Sequence, residues 1–339
     1  MKPRLAVPQG DLGGIGPEVA LRVLSRPGVR AACRPLLIGH RKALEAVTSE
    51  TGIEARLASV ANAEEGFGRG SEETLPVLEL ENPVCTDPPG RPSAAAGRCA
   101  LEALLRGGEL CLQGRAEALV TPPVSKESLH LAGFPYEGQT GILGELSRVR
   151  RYGMLACAEK LQVLVGTRHM ALRAALDRLD VGLVAAQVRL AHEAARETLG
   201  LEEPRIVLAA LNPHAGENGA FGKEEQRILR PALERVRAEW GFETAGPAVP
   251  DVVFREGAQG RWDVVVALYH DQAFLPLKML DRRRACTIFV GGPLLRVSPV
   301  HGTAFDIART GAADPEPFAY ALARALALAK TRAGVPDGQ

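Results

Sequence analysis

The chain has 339 residues, of which 46% are hydrophobic and 24% charged, with a formal net charge of +1. That length exceeds what one compact core usually holds, so two lobes are expected. The near-zero net charge gives no support for nucleic acid or an anionic membrane surface as partner, and any basic site has to be local.

The opening MKPRLAVPQGD meets a proline, a glycine and an acid within eleven residues and does not resemble a signal peptide. No apolar run reaches membrane-spanning length. The six cysteines, at 33, 85, 99, 111, 157 and 286, contain no CxxC pair and read as reduced thiols of a cytoplasmic protein. Strand candidates follow in order: RLAV, RPLLIG, EALV, LQVLVG, RIVLAAL, DVVVALY and CTIFVGG. Most are near-continuous apolar runs, as strands covered on both faces require. Between them lie helical patterns, among them PEVALRVLS, GRCALEALLRGGELCLQG, LVAAQVRLAHEAARETLG and KEEQRILRPALERVRAEWG, several ending at glycine. The alternation predicts an α/β protein with a largely parallel sheet. Residues 64–98, rich in Gly, Pro and Ser, read as a loop-like excursion.

His169, His214 and His270 each sit at or just past the carboxyl end of a predicted strand, the edge where open α/β sheets bind ligands. Three imidazoles converging there would suit a catalytic metal with an open position. Taken singly, each is more often a helix cap than a ligand, and spacings of 45 and 56 residues form no local motif. GDLGGIGPEVALRVL is a glycine-rich strand-to-helix turn that either meets an anion or serves tight packing. Lys126, Lys278 and Arg296 are lone cations near long polar loops; as a set they could hold an anionic substrate. SPVHGTAFDIA predicts a small turn leading straight into a helix, with a carboxylate available for a ribose hydroxyl.

Together, GDLGGIGPE, TPPVSK, GQTG, NPHAGE, YHDQ and VHGTAFDIA stand in the order found in the 4-hydroxythreonine-4-phosphate dehydrogenases of pyridoxal phosphate biosynthesis, which the chain resembles from Gly10 to about Ala308. The resemblance implies an isocitrate/isopropylmalate dehydrogenase-like fold: two lobes with a common sheet and a central cleft, a cofactor-side lobe over 1–125 and 295–339, and a substrate and dimerisation lobe over 126–294. It implies that His169, His214 and His270 bind a divalent metal, zinc first, with cobalt, manganese or magnesium as alternatives. It implies substrate contacts for Gln139, Thr140, Lys278, Thr287 and Arg296, catalytic roles for Asp251, Asp271 and Lys278, and a cofactor turn at His301, Gly302, Thr303, Ala304 and Asp306. A homodimer with the active site at its interface follows, so a mixture of His169→Ala and His270→Ala proteins would regain activity.

The reaction so implied is metal-assisted oxidation of a secondary alcohol of 4-phosphohydroxy-L-threonine, with hydride passing to NAD. Loss of CO2 then gives 3-amino-2-oxopropyl phosphate. An acid at 306 goes with NAD over NADP, because it accepts from a ribose hydroxyl and repels a phosphate. Two positions depart from the family pattern: Gln139 where His is usual and Thr287 where Asn is usual. A neutral amide would hold phosphate less firmly than an imidazolium, so a related four-carbon sugar-acid phosphate or a dihydrodiol carboxylate is the alternative substrate. From other classes, a metal-dependent hydrolase and a non-catalytic metal-binding scaffold compete; a cofactor turn at 301–304 speaks against the hydrolase.

Overall fold

A computed structural model describes residues 2–68, 74–83 and 85–334. The chain forms two compact units, residues 1–150 with 292–339, and residues 151–291. The first unit carries β1 (Arg4–Pro8), β2 (Arg34–Gly39), β3 (Arg56–Val60), β4 (Thr74–Glu79) and β5 (Ala118–Val120). The second carries β6 (Gly153–Ala158), β7 (Leu161–Val165), β8 (Ile206–Ala209), β9 (Ala245–Ala248), β10 (Val264–Ala267) and β11 (Ala285–Val290), after which β12 (Arg296–Pro299) returns to the first.

In the first unit the strand order is β3-β4-β2-β1-β5-β12 and the pairings are parallel. Parallel neighbours need crossovers, and helices supply them on both faces. That is why β1, β2 and β5 are almost wholly buried and apolar. The second unit runs β11-β6-β7-β10-β8-β9. Here β6 pairs antiparallel with both β11 and β7, whereas β7, β10, β8 and β9 are parallel. The predicted α/β class with a largely parallel sheet is what forms, and all seven predicted strands are present.

Two expectations shift, and the first unit takes in residues 126–150, which pack on its long helix Ala94–Leu112. A Cβ on Gly97 of that helix would lie 2.0 Å from the Ser128 carbonyl oxygen, and one on Gly108 would lie 2.5 Å from Leu146. Glycine therefore sets this close approach. The loop expected over 64–98 contains β4, whose four central residues are buried because it pairs on both sides, with β2 and β3. The helix expected within SPVHGTAFDIA, with Asp306 in its first turn, is only a 3-10 turn, Phe305–Ile307. Left-handed backbone at Ala304 and Arg309 brackets that turn and prevents a longer helix, so the next one starts at Glu316. Among the described residues, no helix is long and apolar enough to cross a membrane.

Candidate functional site

In the second unit, β7, β10 and β8 are adjacent and parallel, with Val165 opposite Ala267 and Val266 opposite Leu208. Their carboxyl ends therefore reach one edge, and the segments that follow carry His169, His270 and His214. The β7 and β10 ends are tied tightly. Gly166 N–H donates to the Ala267 carbonyl at 2.7 Å, and the Thr167 hydroxyl donates to the Leu268 carbonyl at 2.8 Å. A Cβ at Gly166 would lie 2.7 Å from that Ala267 oxygen. As a result the His169 and His270 rings stand 5.0 Å apart, centroid to centroid.

His270 opens the helix His270–Leu280 and is held on both sides. Its ring stacks on Phe274 at 4.5 Å, and its Nδ1 lies 2.8 Å from Asp271 Oδ1. A carboxylate only accepts, so Nδ1 carries a proton, and in the neutral ring Nε2 is then the nitrogen with the lone pair. Such an arrangement fits a metal-ligating imidazole with an outer carboxylate. A cavity of about 300 Å³ opens here, lined by Arg168, His169, Leu172, Tyr269, His270 and Asp271 among others. Gln272, quoted in YHDQ but given no role by sequence reasoning, fixes the edge. Its Oε1 accepts from Leu268 N at 2.7 Å, and its Nε2 donates to the Ala210 carbonyl just past β8 at 2.8 Å.

His214 stands apart from this pair. It is exposed, 6.4 Å from the Phe221 ring, and lies in a turn where His214, Ala215, Gly216, Glu217 and Asn218 all have left-handed φ between 40° and 77°. Each non-glycine residue so held costs about 1–2 kcal/mol, and the surroundings must over-determine the conformation. Among the described residues, no three His, Cys, Asp or Glu side chains of one chain gather to hold a metal. The donor set of one chain thus amounts to two paired imidazoles, with His214 outside the pair. The remaining predicted residues of this unit are dispersed. Lys278 is exposed on the His270 helix, its Nζ 5.7 Å from the Phe274 ring. Thr287 is buried on β11 opposite Ala156. Asp251 is exposed in the first turn of the helix Pro250–Ala258.

In the first unit, Arg296 on β12 is only 4% exposed. Parallel pairing with β5 sets Arg296 opposite Leu119, so its side chain reaches Thr121 just past the strand. Its Nε donates to the Thr121 hydroxyl at 2.8 Å and its Nη2 to Gln139 Oε1 at 3.0 Å, while Gln139 Nε2 donates to the Pro122 carbonyl at 3.0 Å. Both ends of the Gln139 amide are thereby engaged within the protein. Gln139 and Thr140 open the helix Gln139–Leu146, whose preceding residue Gly138 provides no side-chain cap. First-turn N–H groups without a cap favour an anion. Lys126 is close by, its Cε 3.7 Å from where a Cβ on Gly138 would be. Burial pushes the Lys126 ammonium below the usual lysine range, against the opposing pull of Glu137.

The glycine turn after β1 packs on the predicted cofactor turn, which favours its packing reading. Ile15 N–H donates to the Thr303 carbonyl at 2.9 Å, and a Cβ on Gly14 would lie 2.7 Å from that same oxygen. Asp11, fully buried and missed at the sequence level, pins the turn. It accepts from Gly13 N at 2.9 Å and Ser125 N at 3.3 Å, and burial raises its pKa despite these bonds and one from Ser128. A lone carboxylate inside a glycine-rich turn was the available signal. On the cofactor turn, His301 Nδ1 lies 3.0 Å from the Gly302 carbonyl oxygen, and its buried Nε2 has no hydrogen-bond partner among the described residues. Burial lowers the His301 pKa, outweighing the Gly302 bond, so the neutral ring offers Nε2 as an acceptor. Gly302 and Asp306 are exposed, Thr303 and Ala304 half-buried.

The family described as pyridoxal phosphate biosynthetic protein PdxA matches residues 31–325. The chain belongs to this family. It is 40% identical over 331 residues to the D-threonate 4-phosphate dehydrogenase of Salmonella typhimurium, covering 96% of this chain and 98% of that one. It is 36% identical over 334 residues to the 4-hydroxythreonine-4-phosphate dehydrogenase of Trichlorobacter lovleyi, covering 98% and 99%. The crystal structure of 4-hydroxythreonine-4-phosphate dehydrogenase from Klebsiella pneumoniae aligns with a TM-score of 0.86 at 36% identity over 97% of this chain and 98% of that one. PdxA relatives named dehydrogenases over their whole length make this an oxidoreductase acting on a CH–OH group and set the hydrolase and scaffold readings aside.

Proposed function

We propose that the protein oxidises the secondary alcohol of a four-carbon, 4-phosphorylated hydroxy acid with NAD and a divalent cation, and that the substrate is 4-phosphohydroxy-L-threonine. The observation that carries this reading is the anion clamp of the first unit: a buried Arg296 held by Thr121 and Gln139, beside an uncapped helix start and Lys126. A buried guanidinium, fixed in place by these bonds and able to give charged hydrogen bonds, suits a dianionic phosphate. His169 and His270 would hold the cation, zinc first, and a bound divalent ion lowers the pKa of an alcohol as a Lewis acid. Asp271 keeps His270 in the ligating tautomer, which leaves proton acceptance to Lys278 or Asp251. Hydride leaves C3 for NAD; the C1–C2 bond of the resulting β-keto acid then breaks, CO2 departs, and C2 is protonated. His301 Nε2 would accept from the adenine amino group, and Asp306 would favour NAD over NADP at least tenfold, about 1.4 kcal/mol.

A second copy of the chain completes the metal site. Supporting this, Leu275 at 63% and Met279 at 86% exposure leave an apolar surface on the His270 helix, the kind that marks an interface. Because His169 and His270 pair within one chain, the complementing mixture becomes His214→Ala with His270→Ala. That hybrid keeps one intact pair and one intact His214, and should regain part of the activity; His169→Ala with His270→Ala should regain none. Rescue by the second mixture alone would refute this division of ligands.

A second reading, oxidation of D-threonate 4-phosphate, is favoured by the 40% identity to the Salmonella enzyme of that name. It differs only in a hydroxyl where the first substrate has an amine, so its product is dihydroxyacetone phosphate. NADH absorbance with both phosphates and an unphosphorylated diol acid, followed by an amine test on the product, separates the readings. Faster turnover of the unphosphorylated acid than of either ester would overturn both.

A further inference from the structure

We infer that Glu225 is the positioning residue that holds His214 in place for ligand binding, an inference that rests on reading His214 as a metal ligand. Five consecutive left-handed residues do not persist unaided, and the group that fastens them is a single buried carboxylate. Glu225 is 2% exposed and begins a turn of π-helix, Glu225–Leu229. Its Oε1 accepts from Leu211 N at 2.9 Å and Asn212 N at 2.8 Å, and its Oε2 accepts from Asn212 Nδ2 at 2.9 Å. Glu224, the preceding residue, takes the same Asn212 amide at 2.8 Å. The carboxylate thus grips the two residues that lead from β8 into the turn.

It also touches the turn itself. A Cβ on Gly216 would lie 2.6 Å from Glu225 Oε2. Gly216 is therefore required twice, for its φ of 77° and for the approach of the carboxylate. The arrangement demands an acceptor at both oxygens. An amide in its place would set NH₂ against the two backbone donors in one rotamer and against the Asn212 amide in the other. Either choice leaves buried donors facing a donor, and the backbone from Leu211 onward would relax toward conformations that non-glycine residues prefer. His214 would then lose its position without any change to the imidazole.

The test uses Glu225→Gln in the full-length protein, with zinc affinity measured by competition with a chromophoric chelator and hydrogen exchange followed across residues 206–221. The expected result is zinc affinity weakened about 10–100-fold, the range for removing an outer partner of a ligand, with faster exchange at Leu211 and Asn212 and unchanged exchange in β8. A lower Tm with zinc affinity within twofold of wild type would overturn the inference, provided His214→Ala does lose zinc. If His214→Ala itself binds zinc like wild type, the ligand reading falls, and this inference with it. Should Glu225→Gln fail to fold, Asn212→Ala removes the side-chain donor while leaving both carboxylates. It should weaken zinc binding by a smaller factor in the same segment, and wild-type affinity there would again overturn the role.

Discussion

The histidine edge of the second unit and the anion clamp of the first reach their geometry by different routes. At the edge, side chains follow directly from strand register: Val165 opposite Ala267 places what comes a few residues later side by side. At the clamp, Arg296 and Gln139 meet across 157 residues of chain, through a helix start whose position depends on how residues 126–150 pack on Ala94–Leu112. The difference teaches that a ligand delivered by parallel strands tolerates changes elsewhere, whereas a clamp assembled from a buried cation depends on every partner it has.

The largest expected effect is at the edge. His270→Ala should weaken divalent-ion binding by more than the roughly 10–100-fold that loss of an outer partner costs, whereas Asp271→Asn should fall inside that range. Ion titration of the two variants decides it; equal losses would mean that Asp271 is itself a ligand.

At the clamp, Arg296→Met should raise KM for the phosphorylated substrate about 10–100-fold, since hydrogen bonds to a charged group are each worth about 1.5–3 kcal/mol. Leaving the Gln139 and Thr121 oxygens without their donor should lower Tm as well. Comparable kinetics with the variant would show that the phosphate is held elsewhere.

How far the sequence foretold these regions follows the same contrast. The apolar runs ending at His169 and His270 were legible because strands buried on both faces leave no doubt about period, and their carboxyl ends are where ligands gather. β3, with its half-exposed RLASV, and β4, lying in a Gly- and Pro-rich stretch, were not. Their burial is decided by neighbours. His214 follows a predicted strand, but nothing in NPHAGENG announces five left-handed residues, because Glu225 imposes them from outside. Gln139 was the plainest misfit with the family pattern, yet its meaning was hidden. Read as a weak phosphate donor, it is instead engaged with Arg296 and Pro122.

That reversal gives a smaller but sharper test. Were residue 139 a direct phosphate contact, Gln139→His would help most when the imidazole is charged, below its ordinary pKa of about 6.5. With Gln139 accepting from Arg296, the imidazolium has no acceptor to offer and repels the guanidinium. KM of the variant should therefore improve as pH rises through the imidazole range, the opposite slope. A KM that worsens with pH would return residue 139 to the phosphate.

The smallest effect concerns Lys126. Its folded pKa is lowered, burial being the main cause, so the ammonium loses its proton at a lower pH than a lysine in water, for which about 10.4 is usual. Because the unfolded chain then binds more protons than the folded one, this group disfavours folding while it is charged, and its contribution to stability improves with rising pH. For substrate the sign is opposite: the charged form holds phosphate, so affinity from Lys126 fades on the alkaline side, before an ordinary lysine would deprotonate. Lys126→Arg keeps its charge throughout, and its KM for the phosphorylated substrate should stay flat over the alkaline range where wild type rises. The residue as a whole is exposed and its ammonium only partly desolvated, and the arginine fork is larger, so a difference of only a few-fold is expected, of the order of the 0.2–1 kcal/mol typical of exposed charge pairs. Parallel KM profiles for the two proteins would remove Lys126 from the clamp and leave Arg296 and the helix start to hold the anion alone.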